Sequence, residues 1–136
     1  MRVSIFGTRN RRLIADVRRF ARILSCQFPT FRGTINIVLV KDQYILALNR
    51  QFLRRNRPTD VLAFPLEEPP SPSRPLRARL LGEVYINRDA ARRQAKEYQV
   101  TLGSELRRLA LHGLLHLAGL SHRQMPVYEQ ELLGTN

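Results

Sequence analysis

Apolar residues recur with a helical period near the start of the chain. Between Arg11 and about Phe28 they fall at Leu13, Ile14, Val17, Phe20, Ala21 and Leu24, while Arg12, Asp16, Arg18, Arg19 and Arg22 occupy the other side. A repeat of about 3.6 residues predicts an amphipathic helix. Val3 to Phe6 before it reads as a short strand. Pro29 and Gly33 close the connection to a second strand, the β-branched run Thr34 to Val40. Asp42 is placed to cap a helix through about Phe52, with Ile45, Leu46 and Leu48 turned inward. Pro58 breaks any continuation, and Val61 to Phe64 reads as a strand ended by Pro65.

Farther on, Glu67 to Pro75 is a proline-rich loop, expected to be mobile. Leu80 to Ile86 returns as a strand with Leu81, Val84 and Ile86 apolar, and a helix follows from about Arg88 to Tyr98. Thr101 caps the next helix, which is apolar or glycine from Leu109 to Leu120 except at His112 and His116. A helix greasy on all sides is expected to be buried. Met125 to Leu133, with Pro126 near its start, suggests a short last helix packed back on the core. The order of elements predicts an α+β fold. It is a single domain over residues 1–136, with a small mixed four-stranded sheet, helices packed on it and the histidine helix at the centre.

Composition changes this picture in two ways. No stretch approaches the roughly 18 consecutive apolar residues of a membrane span, and early arginines at Arg9, Arg11 and Arg12 interrupt any signal-peptide apolar region. A membrane partner is therefore not expected. The single cysteine, Cys26, cannot form an internal disulfide, fits a reducing compartment and reads as a small buried residue. Second, 23 basic against 11 acidic side chains leave a net charge of +12, nearly all of it arginine because Lys41 and Lys96 are the only lysines. Such an excess points to a polyanion, nucleic acid first, whose phosphates suit the planar guanidinium fork. The bland alternative is a compositional bias in which arginines merely solvate the surface. The same two readings apply to the dense basic turn Arg54, Arg55 and Arg57, which can contact phosphates or simply face water.

The candidate chemistry lies in the histidine helix. His112, His116 and His122 are all the histidines of the chain. On a helix the first two lie on one face, one turn apart. Gly119 can end the helix in the left-handed conformation and let His122 return from a loop. Three imidazoles around one zinc ion leave its fourth position open, the pattern of a catalytic site. Nickel or copper could use the same ligands. The window also matches the metzincin protease pattern H-E-x-x-H-x-x-G-x-x-H at every fixed position but one. Gly113 stands where that pattern has its general-base glutamate, so zinc binding survives while a metalloprotease loses its proton carrier.

With glycine at that second position, the window resembles the YbeY endoribonuclease and rRNA maturation family. So do Pro58-Thr59-Asp60-Val61-Leu62-x-Phe64-Pro65 and Leu81-Gly82-Glu83-Val84, and the likeness spans essentially the whole chain. Two positions depart from the family's usual pattern. Ser121 replaces an aspartate before the last histidine, and Leu53 stands where many members carry an arginine, with Arg54 adjacent. The resemblance implies a cytoplasmic, zinc-dependent endoribonuclease with one Zn²⁺ held by His112, His116 and His122. Its substrate would be single-stranded RNA, not DNA. It would act in small-subunit rRNA 3′-end maturation and ribosome quality control, in contact with the ribosomal small subunit or its proteins. Zinc lowers the pKa of bound water and polarises a phosphoryl oxygen. The attacking group stays open between such a water and the RNA's own 2′-OH. Arg54, Arg57 and Asp60 are the candidate catalytic residues, Arg54, Arg55 and Arg57 the candidate RNA contacts, and Glu83 is a further carboxylate to test. The rival of another class is a non-catalytic assembly factor that binds RNA and uses zinc to hold its fold.

Overall fold

The computed structural model describes residues 1–52, 59–66 and 79–134. Its elements run β1 (Arg2–Phe6), α1 (Arg11–Gln27), β2 (Thr34–Val40), α2 (Asp42–Phe52), β3 (Val61–Pro65), β4 (Leu80–Asn87), α3 (Arg88–Glu97), α4 (Leu102–Leu117) and α5 (Met125–Leu133). Local chemistry sets the helix starts. Asn10 Oδ1 accepts from the Leu13 amide at 3.1 Å, and Thr101 Oγ1 accepts from the Ser104 amide at 3.0 Å. Asn87 Oδ1 takes the amides of Asp89 and Ala90, so α3 begins with no loop after β4. The proline-rich loop Glu67–Pro75 and the basic turn with Arg54, Arg55 and Arg57 lie outside the described residues.

The strands form one mixed sheet in the order β1-β2-β4-β3. β1 with β2 and β2 with β4 are parallel, and β3 runs antiparallel along β4. A parallel pair needs a crossover, and α1 supplies the one between β1 and β2. The buried side chains Ile35, Ile37, Val84 and Ile86 share one sheet face, which the apolar stripe Leu13, Val17, Phe20, Ala21 and Leu24 of α1 helps cover. α4 touches α1, α3, α5, β3 and β4, and so is the central helix expected. It can come that near because Gly113 meets Val84 and Gly82 meets Leu117, where a Cβ on either glycine would lie within 3 Å of those side chains.

Three details differ from expectation. On α2, Ile45 is buried as expected, but Leu46 and Leu48 are only half-buried and Asn49 is buried in their stead. Cys26 is exposed, because it lies two residues past the buried Leu24 and so on the opposite side of α1. The apolar stretch of α4 is not sealed on all sides: His112 is half-buried and His116 exposed.

Candidate functional site

α4 ends in a Schellman motif. Gly119 adopts φ +81°, its amide reaches His116 O at 3.0 Å, and the Leu120 amide reaches Leu115 O at 3.2 Å. Leu120 is buried and anchors the reversal. Just beyond, Ser121 and Gln124 cap each other. The Ser121 amide donates to Gln124 Oε1 at 3.0 Å, and the Gln124 amide donates to Ser121 Oγ at 3.3 Å. This turn carries His122 back toward α4, as the sequence suggested.

The three rings gather at that corner. Ring centres of His112 and His116 are 4.7 Å apart, and those of His116 and His122 5.4 Å. His112 Nδ1 lies 2.8 Å from Glu129 Oε1 on α5, a contact that in a neutral ring favours the proton on Nδ1 and the lone pair on Nε2. That Nε2 lies 3.2 Å from His116 Nε2. Two nitrogens on one tetrahedral zinc at 2.0–2.1 Å would stand about 3.3 Å apart. The pair is thus spaced as a chelate would be. Partial burial, with His112 and His122 nearby, pushes the His116 pKa below its ordinary value and favours the neutral, ligating form. Among the described residues no three His, Cys, Asp or Glu side chains are already grouped to hold a metal ion. His122 is exposed on the turn after α4.

Beside these rings a cleft of about 310 Å³ is lined by Thr59, Asp60, Val61, Leu62, Ala63, His112 and His116. Its far wall is firmly placed. Asn87, fully buried, gives its amide to Asp60 O at 2.8 Å and its Nδ2 to Thr59 O at 3.0 Å. Gln94 Nε2 reaches Asp60 Oδ2 at 3.4 Å and Glu105 Oε2 at 2.6 Å, and Arg108 grips Glu105 through two nitrogens at 2.7 and 2.8 Å. Asp60 is therefore brought to the histidines. Glu83 is not: its strand neighbours Gly82 and Val84 face α4, so its side chain takes the other face of the sheet, near the Tyr85 hydroxyl. Arg54, Arg55 and Arg57 lie outside the described residues.

Sequence reasoning missed Glu129, Asn87 and the Ser121–Gln124 cap. The last had a legible signal, the S-x-x-Q spacing, and Asn87 had one as an N-cap just before Arg88. Glu129 sits 17 positions from His112, with no periodicity to link them.

The model of the family described as Endoribonuclease YbeY matches residues 7–133. The chain belongs to the YbeY endoribonuclease family. It is 39% identical over 130 residues to Endoribonuclease YbeY of Myxococcus xanthus strain DK1622, covering 86% of this chain and 44% of that relative. With the Anaeromyxobacter sp. strain Fw109-5 protein of the same name it shares 48% identity over 90 residues, 66% of this chain and again 44% of the relative. It thus spans under half the length of these two YbeY proteins. The solution structure of TM1509 from Thermotoga maritima superposes with a TM-score of 0.62 at 28% identity, covering 97% of this chain and 89% of that one. The α+β fold expected from the order of elements is the fold observed.

Proposed function

We propose that this YbeY-family chain is a metal-dependent endoribonuclease that cuts single-stranded RNA at the cleft between α4 and β3. The observation that carries the reading is the pair of imidazole Nε2 atoms 3.2 Å apart, one ring oriented by Glu129, at the mouth of a cleft that also holds Asp60. His112, His116 and His122 would hold one Zn²⁺, which when bound would supply Lewis acidity toward a phosphoryl oxygen and an acidified water. The chain's own part is positional. Glu129 fixes the tautomer of His112. Asn87 and Gln94 hold Thr59 and Asp60 across the cleft, and in this reading the Asp60 carboxylate would take a proton from an attacking hydroxyl. Arginines, including the candidates Arg54, Arg55 and Arg57, neutralise the RNA backbone.

The substrate in this reading is small-subunit rRNA at its 3′ end, with a role in ribosome quality control and contact with the small subunit or its proteins. That work belongs in the cytoplasm, and none of the described helices is long and apolar enough to cross a membrane. A metzincin-like protease is disfavoured, since Gly113 packs against Val84 with no room for a glutamate. To test the reading, wild type and His116→Ala, freed of contaminating nucleases, are incubated with single-stranded RNA with and without zinc. Zinc-dependent cleavage by the wild type alone is expected. Equal RNA binding with cleavage by neither would overturn it in favour of a non-catalytic assembly factor.

A further inference from the structure

The opposite edge of the sheet carries charge that the histidine cleft does not use. Among the described residues β1 pairs only with β2, so its outer edge is open. Arg2 gives its amide to Gly33 O at 2.9 Å, and strand alternation therefore turns the Val3 N–H outward. Against this edge α1 sets Arg18 and Arg22, one turn apart. The groove between, about 590 Å³, is lined by Met1, Arg2, Val3, Ser4, Arg18 and Arg22, with no carboxylate among them. Asp16, the one acidic residue of α1, is committed to Arg107 at 3.3 Å and Arg19 at 3.8 Å. Among the described residues, none of the Arg2, Arg18 and Arg22 guanidiniums forms a hydrogen bond or ion pair. Like charges one helical turn apart weaken a helix. Three convergent, unpaired guanidiniums beside an outward N–H form a site for an anion with several oxygens, which the planar fork grips bidentately.

We propose that this groove is a second anchoring site for the phosphate backbone of single-stranded RNA, remote from the histidine cleft. The inference rests on the RNA reading above. β1 and β3 are the two edges of the sheet, three strand spacings or about 14 Å apart. An RNA strand held at both places thus lies across the domain, and the groove adds affinity without touching the scissile bond. In this proposal its guanidiniums grip backbone phosphates, so it binds by charge and is indifferent to sequence.

The test measures binding of a labelled, unstructured RNA by fluorescence anisotropy over a salt series, with chelator present to prevent cleavage. It uses the wild type, Arg18→Gln/Arg22→Gln and His116→Ala. Arg18 and Arg22 are exposed, so the double variant is expected to melt like the wild type. It should bind several-fold more weakly at low salt. The slope of log affinity against log salt should fall by about 1.4, or about 0.7 for each phosphate no longer neutralised. His116→Ala should keep the wild-type slope. Unchanged affinity and slope in the double variant overturn the groove, while zinc-dependent cleavage by the wild type would leave the nuclease reading standing. A reduced slope in the double variant, with no cleavage by the wild type in zinc, keeps the groove and overturns the nuclease. Failure of the wild type to bind RNA overturns both.

Discussion

Gly113→Ala sets two effects of opposite sign against each other in the middle of α4. Alanine is the better helix former by about 1 kcal/mol, so propensity alone predicts a more stable protein. Packing predicts the reverse. A Cβ at position 113 would lie 2.5 Å from Val84 Cγ1 and 3.1 Å from Cγ2. Val84 is fully buried in β4, between β2 and β3, and its β-branched side chain is stiff at χ1. It cannot swing aside, so α4 and β4 have to separate. Overpacking of this kind costs about 1–3 kcal/mol, and the short contact with a stiff partner places it in the upper half of that range. After the propensity gain is subtracted, a net loss of about 1–2 kcal/mol remains. In a chain of this length that lowers Tm by roughly 3–8 °C. Urea unfolding followed by far-ultraviolet circular dichroism measures the loss, with an unchanged m value showing that the end states are the same. The decisive control is the Val84→Ala background, which removes both contacting methyls. There Gly113→Ala should become neutral or stabilising, a coupling of about 1 kcal/mol or more. A Gly113→Ala protein at least as stable as its parent would refute the claim that glycine is required for close approach.

Two further outcomes are expected. Removing the carboxylate that orients His112, by Glu129→Ala, should weaken zinc binding about 10–100-fold in a chelator competition, and unaltered affinity would show that the contact does not serve the ion. At acid pH, Arg93 and Asn87 hold the Asp42 carboxyl at about 2 against an ordinary 3.8. The stability this contributes is complete above the ordinary value and is lost as pH falls through the range between the two. Side-chain exposures of 59% for Arg93 and 34% for Asp42 reduce it by screening, to about 1 kcal/mol. Asp42→Asn should flatten that part of the acid limb in urea midpoints measured between about pH 4 and pH 2.

How much of the molecule could be read in advance depended on how local its cause was. α1 follows from its apolar repeat, and α4 from Thr101 at one end and Gly119 at the other. The gathering of His112, His116 and His122 follows from one helical turn and one reversal, all inside eleven residues. The exposure of Cys26 was legible too, since a residue two places after Leu24 cannot share its face, but the expectation of burial followed residue type instead of helical phase. The departure at Gly113 could be seen as the loss of a glutamate. That it also lets α4 rest on Val84 could not.

Periodicity, caps and breakers depend on neighbours within about four residues, so composition and order were enough to establish helices, strands and the histidine corner. The folded chain alone decided that β4 lies between β2 and β3, that Asp60 lines one cleft with His112 and His116 while Glu83 is turned away, that Glu129 reaches back to His112, and that Arg2 lines one groove with Arg18 and Arg22 beside the β1 edge. Those pairings join positions distant along the chain. They are selected by the joint burial of many side chains, a sum over the whole core that no short window of sequence contains.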